Sequence, residues 1–269
     1  MSAVSPRPAA SVLLVRPGQD APLEVYMIRR QKTMRFLGGY YAFPGGKVES
    51  EDATPEILDR CQGLPPADAE RALPTVDGFP ALSFWVAAAR ELLEETGVLA
   101  ARDARGAIDG ADLAVAERVT ATRRALMAGE APFHALLARE GWNLDVAPFR
   151  YLAHFITPPS SPIRFSARFF LAAVPAGQVA RLFEEEASEG FWIEPAEGFR
   201  RFNQGDMPMA EPAYSGLAYL AAFDSLAALW AAHADGRHKF HGINDRLDAL
   251  GLRVPRWPTG VPPASSATS

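Results

Sequence analysis

The chain has 269 residues, 48% of them hydrophobic and 22% charged, the make-up of a globular protein with one elaborated core or two small ones. A net charge of −5 excludes a general polyanion-binding surface, so nucleic acid is not an expected partner. Cys61 is the only cysteine, which excludes an internal disulfide, and there is neither an apolar signal segment at the N-terminus nor any run approaching the ~18 apolar residues of a membrane span; the expectation is a cytoplasmic chain with no membrane partner.

In chain order, residues 1–9 are rich in Pro and Ser and read as loose. Residues 10–15 read as a buried strand and 23–28 as its partner, with a Pro-Gly turn between them. Residues 29–39 form a polar loop with an apolar tip at Phe36 and Leu37, and 40–43 a short strand that runs into a Gly45-Gly46 turn. Glycines there let the backbone approach a metal or a phosphate closely.

Residues 53–82 are broken by Pro55, Pro65, Pro66, Pro74 and Pro80, so no continuous helix runs through them; 67–73 suits one short helix. The stretch reads equally as a surface loop or as a flap beside the next helix. That helix, residues 83–96, carries no Gly or Pro and stops at Gly97, the residue type that ends helices in the left-handed conformation. Beyond it, 98–101 suit a strand, 103–110 a loop, and 111–127 and 132–140 two helices. Strands follow at 149–156, 163–174 and 190–193, then helices at 195–202 and 213–233, and a Pro-rich tail over 256–269.

The chemistry concentrates at the end of the helix before Gly97. Glu91, Glu94 and Glu95 are spaced i, i+3 and i+4, so they project from one face. Glu91 and Glu95 repel each other, and carboxylates at a helix C-terminus oppose its dipole, by a few tenths to ~1 kcal/mol each. Arg90 offsets part of this through Glu94. A divalent cation would offset far more, since carboxylate oxygens suit Mg²⁺ or Mn²⁺. A solvated acidic helix end is the bland reading of the same run.

Phe43-Pro44-Gly45-Gly46 upstream and Arg90-Glu91-Leu92-Leu93-Glu94-Glu95-Thr96-Gly97-Val98 together resemble the Nudix box, G-x5-E-x7-R-E-U-x-E-E-x-G-U, where U is aliphatic. Two departures stand out: Asp52 occupies the place of the first Glu, and the spacer runs over residues 53–89 where the pattern has seven residues. Asp52 is one methylene short for its pairing role, and Glu49 or Glu51 could substitute. The resemblance implies an α/β fold, the Nudix α/β/α sandwich with a mixed sheet; the residues alone give only α/β or α+β. One domain over 1–255 is expected, with insertions at 53–82 and 111–145.

The resemblance further implies Mg²⁺- or Mn²⁺-dependent hydrolysis of a nucleoside diphosphate linked to another group. Glu91, Glu94, Glu95 and the Gly46 carbonyl are the implied metal ligands, with Glu94, Arg90 and Glu95 in catalytic roles: Glu94 as ligand or base, Arg90 orienting a carboxylate. The interrupted box, with Thr157-Pro158 and Arg164-Phe165 to Arg168-Phe169-Phe170 beyond it, is similar to the peroxisomal coenzyme A diphosphatase group of mammals. This implies cleavage of CoA or acyl-CoA to 3′,5′-ADP and phosphopantetheine.

Arg30, Arg35, Arg164 and Arg168 are the candidate partners for the substrate's phosphates; Arg164 and Arg168, on one side of a strand, serve equally as ion-pair formers. The C-terminal Ala-Thr-Ser is no peroxisomal address, and the scarcity of Lys with abundant Ala suggests a bacterial cytoplasmic relative. An ADP-sugar or dinucleotide pyrophosphatase, or a catalytically silent nucleotide-binding module, are the other readings; a homodimer is compatible with the sequence. His238 and His241 have metal-like spacing without a third ligand, and Glu184–Glu186 is an acidic run from which Glu185 could reach the site.

Overall fold

The structure, a computed structural model, describes residues 4–73, 78–185 and 187–233. In chain order its elements are β1 (Arg7–Arg16), β2 (Glu24–Arg30), β3 (Tyr41–Ala42), β4 (Gly45–Lys47), a 3₁₀ turn (Ser50–Ala53), α1 (Pro55–Leu58), β5 (Cys61–Gln62), α2 (Pro66–Ala72) and α3 (Ser83–Thr96). There follow β6 (Ala101–Asp103), β7 (Gly106–Ala107), α4 (Leu113–Met127), α5 (Phe133–Glu140), β8 (Asn143–Asp145), β9 (Arg150–Ile156), β10 (Phe165–Ala173), β11 (Ala187–Ile193), α6 (Pro195–Asn203), α7 (Glu211–Ala221) and α8 (Leu226–Ala232).

The main sheet runs β11-β2-β1-β10-β9, with β3 beside β2 and β4 beside β1. It is mixed: β1 pairs in parallel with β10, from Arg7 opposite Phe165 to Val15 opposite Ala173, and antiparallel with β2 and β4. The run Val12-Leu13-Leu14-Val15 is apolar without alternation because both faces of β1 are covered. Val12 and Leu14 pack with Tyr26, Ile28, Phe84 and Leu92 under α3. Leu13 and Val15 pack with Val25, Met27, Phe199 and Leu217 under α6 and α7. The result is the α/β/α sandwich.

β1 and β2 pair only at Val15–Val25 and Arg16–Glu24. Below that point they separate, and the chain from β3 to β4 crosses the gap, pairing first with Ile28 and Arg29 and then with Ala9–Ser11. Gly45 makes the crossing feasible: at φ +152, a Cβ there would lie 2.4 Å from the Ala10 carbonyl oxygen.

Several expectations are corrected. β1 begins at Arg7, inside the stretch expected to be loose. Residues 98–100 have no strand geometry; β6 starts at Ala101 and turns back through β7, within the expected loop. The helix expected over 213–233 is two helices bent by 108°. The break lies at 222–225, where the Ser225 hydroxyl accepts from the Ala228 amide at 3.1 Å and starts α8 as an N-cap. Among the described residues no single helix is long and apolar enough to cross a membrane.

Residues 53–82 and 111–145 meet each other. β5 pairs in parallel with β8, and with β6 and β7 they form a second, four-stranded sheet. Ile57, Ala69, Leu73, Phe133, Leu137 and Leu144 are buried in the same cluster as α3. The described residues of 53–82 are therefore no loose surface loop: they pack against the core beside α3.

Candidate active site

α3 emerges with nearly every side chain buried, and its last turns present Glu91, Glu94 and Glu95. Arg90 organises them. Its Nε and Nη2 donate to Asp52 Oδ1 and Oδ2 at 2.8 and 2.9 Å, a two-pronged pair with Asp52 1% exposed. Nη2 also donates to the Lys47 carbonyl at 2.9 Å, tying α3 to β4. Nη1 donates to Glu91 Oε1 at 2.9 Å and to Glu94 Oε2 at 3.1 Å. The short Asp52 side chain reaches because the 3₁₀ turn carries its backbone inward, and its Oδ2 further accepts from the Glu49 amide at 2.9 Å. Glu49 itself is exposed beside Lys47, so Asp52 rather than Glu49 is the partner of Arg90.

Glu95 turns to β4: its Oε2 accepts from the Gly45 amide at 2.7 Å. Gly46 lies against Glu91, whose Oε1 would be 2.4 Å from a Cβ at that position. Burial pushes the Glu91 carboxyl up to about 7; Arg90 pulls it down and the Glu94 charge raises it again. For Arg90, burial alone lowers the pKa, but the Asp52 hydrogen bonds and the charges of Glu91, Asp52 and Glu94 outweigh it and hold the guanidinium well above its ordinary value.

As the side chains stand, no three His, Cys, Asp or Glu among the described residues form a ready ligand group for a metal. Arg90 engages Glu91 and Glu94, while Glu95 is turned to Gly45. The donor chemistry nevertheless fits a divalent cation: carboxylate oxygens on one helix face, one strongly desolvated, and a glycine backbone with no room for a side chain beside them.

A cavity of about 680 Å³ opens from this face. Its walls come from β1, β4, the end of α3, the loop before β3, β9, β10 and the start of α7, and they are largely apolar: Met34, Phe36, Tyr40, Phe155, Phe165 and Phe169 among them. That size and character suit a small organic ligand. The four arginines expected to meet phosphates separate here. Arg30 lines the cavity, its Nε donating to the Phe36 carbonyl at 3.3 Å. Arg35 is exposed and is not among the lining residues. Arg164 donates to the carbonyls of Thr157 and Val4, also outside the lining. Arg168 is 1% exposed, lies 4.4 Å over the Phe84 ring and donates to the Ser166 carbonyl and hydroxyl. Arg168 faces the α3 layer through Phe84, whereas the cavity is lined by the alternate residues Phe165, Ala167 and Phe169.

Two charged lining residues were given no role from the sequence. Lys47 follows Gly46 directly and adds a cation at the mouth. Glu211, at the start of α7, enters from the opposite layer; burial raises its pKa, and its carboxylate has no hydrogen-bond or ion-pair partner among the described residues. An acidic residue in a first helical turn is an ordinary signal, so nothing local marked it. Glu185 is exposed and lies 3.8 Å from Arg123, outside the cavity. Cys61 is partly buried, its thiol pushed up to about 12 by burial, which leaves it inert. His238, His241 and the tail 256–269 lie outside the described residues.

No family model matches the chain. It is similar to the crystal structure of a Nudix hydrolase from Alicyclobacillus acidocaldarius, at 30% identity and a TM-score of 0.70, over 86% of this chain and 97% of that one. It is 26% identical to the acyl-coenzyme A diphosphatase NUDT19 of Gallus gallus over 85% of this chain and 71% of that protein. It is also 27% identical to the putative nudix hydrolase 7 of Caenorhabditis elegans, over 71% of this chain but only 52% of that protein.

Proposed function

The chain belongs to the Nudix hydrolase family, and from that premise we propose that it cleaves the diphosphate of CoA or acyl-CoA, giving 3′,5′-ADP and (acyl-)phosphopantetheine, with Mg²⁺ or Mn²⁺ as cofactor. The observation that carries this reading is the junction of the carboxylate face of α3 with a mostly apolar cavity whose cations besides Arg90 are Arg30 and Lys47. The similarity to an acyl-coenzyme A diphosphatase over most of the chain supports it.

A bound divalent cation would neutralise the diphosphate and lower the pKa of water at the site. Glu91, Glu95 and the Gly46 carbonyl are the groups to hold it. Glu94, more exposed than Glu91, is the group proposed to take the proton of the attacking water as the bridging P–O bond breaks. Arg90 orients Glu91 and Glu94 and does not meet substrate. Glu211 is suited to accept from an N–H or O–H of the ligand. The aromatic wall is suited to the chain beyond the diphosphate.

CoA carries a 3′-phosphate that dephospho-CoA and ADP-ribose lack, and Arg30 is the cavity's natural partner for it. A charge-assisted contact of ~1.5–3 kcal/mol corresponds to roughly ten- to a hundredfold in kcat/KM. Wild-type protein should prefer CoA over dephospho-CoA by that factor, and Arg30→Ala should erase the gap while dephospho-CoA turnover stays nearly constant. ADP-ribose turned over as well as CoA would leave a diphosphatase and remove the CoA assignment.

Metal binding should depend on pH. The Glu91 carboxyl, with its pKa at about 7, carries a proton below that pH in the metal-free protein and must lose it to become a ligand. Mn²⁺ affinity should therefore weaken about tenfold per unit as pH falls below about 7 and level off above it. Calorimetry in buffers of different ionisation enthalpy counts the released proton. A dissociation constant unchanged between about pH 5.5 and about pH 8 would take Glu91 out of the ligand set.

A further inference from the structure

The last turn of α3 is held from outside by α4. Arg123 is 7% exposed, and its Nε donates to the Glu94 backbone carbonyl at 2.7 Å. Its guanidinium carbon lies 3.3 Å from the centre of the Phe183 ring, with Nη2 3.8 Å from Glu185. The same ring packs on Gly97, where a Cβ would come within 3.1 Å of it. Neighbouring carbonyls of the helix end are met by backbone amides: Leu93 by Gly97 and Thr96 by Arg181, each at 2.9 Å.

This arrangement acts where α3 is weakest. Carbonyls of a last turn lack partners within the helix, and the turn carries the negative end of the dipole. Here the same turn also bears Glu94 and Glu95. A cation bound to a carbonyl at that point counters both effects. A buried arginine stacked on a ring has little freedom to follow a shifting backbone, so it fixes the turn more firmly than a surface lysine would. We propose that Arg123 is a positioning residue: by holding the Glu94 carbonyl from α4, it sets the last turn of α3 and so the placement of the Glu94 and Glu95 carboxylates around the divalent cation. The segment 111–145 thereby contributes to a site it does not line. The inference rests on the metal reading above.

The test uses the full chain with Arg123→Met, which keeps bulk, and Arg123→Lys, which keeps charge. Mn²⁺ affinity is read by electron paramagnetic resonance without substrate, beside Tm and the separate values of kcat and KM at saturating Mn²⁺. For Arg123→Met, Mn²⁺ affinity and kcat should each fall about tenfold, with KM moving less than about twofold; Arg123→Lys should recover part of the affinity. If Arg123→Met fails to fold, Arg123→Lys and Phe183→Leu carry the comparison, each with a smaller loss in the same direction. A lower Tm with Mn²⁺ affinity and kcat at wild-type values would reduce Arg123 to a structural cap and overturn the proposal. Wild-type protein that takes up no Mn²⁺ would overturn the metal reading and the inference with it, an outcome distinct from equal binding by wild type and variants.

Discussion

Glu95→Gln is expected to lower metal-dependent diphosphate hydrolysis on the order of a hundredfold or more, because one ligand charge is removed from a site that must stabilise developing negative charge by several kcal/mol. The substitution is close to isosteric. Glu95 Oε2 accepts from the Gly45 amide at 2.7 Å, and a glutamine oxygen can accept the same bond. Glu95 is 7% exposed, and a side chain of the same length and shape leaves its packing in place. Loss of activity should then come with little change in Tm, which separates a defect of the site from a defect of the fold. The measurement is turnover of CoA at saturating Mn²⁺ beside thermal unfolding monitored by circular dichroism. Near-equal rates in wild type and variant would remove Glu95 from the reaction.

The parts of the molecule legible in the sequence are those governed by local rules. α3 runs from Ser83 to Thr96 and ends on Gly97 at φ +72, as its Gly- and Pro-free run and its stop residue indicate. β2, β9 and β10 follow their apolar runs closely, while β1 extends beyond its run to Arg7. β5 and β8, of two and three residues, are too short to carry a period, so the small second sheet was invisible.

The arginines show the limit more sharply. Alternation gives Ser166 and Arg168 a common side of β10, where they meet, yet it cannot say which side α3 will cover. Phe84 closes over Arg168, and the open side belongs to Phe165, Ala167 and Phe169. Likewise the apolar composition of residues 213–233 suits one long helix. Only the Ser225 cap and the burial of both pieces against the sheet turn it into two.

Asp52→Ala is expected to cost about 3–5 kcal/mol of folding stability, the range for removing one partner of a buried ion pair. The cost would come less from the lost attraction than from what remains: the side chain of Arg90, only 10% exposed, would keep its charge with Nε and one of its Nη2 bonds unmatched. Nη2 would retain the Lys47 carbonyl, and Nη1 would retain Glu91 and Glu94. The 3₁₀ turn would also lose the acceptor of the Glu49 amide. At roughly 2–4 °C per kcal/mol for a domain of this size, Tm should fall by about 10 °C.

Asp52→Glu, which restores the residue of the Nudix pattern, should not be neutral. Both oxygens already sit at 2.8 and 2.9 Å from Arg90, and an added methylene in a position 1% exposed should cost ~1–3 kcal/mol through overpacking. The double change Asp52→Ala with Arg90→Met should be more stable than Asp52→Ala alone, because it removes the stranded charge. Denaturant unfolding of the four proteins gives the coupling directly. A double variant as unstable as the sum of the two single changes would show that Asp52 and Arg90 contribute independently, and would leave the broken spacer between them without an energetic link.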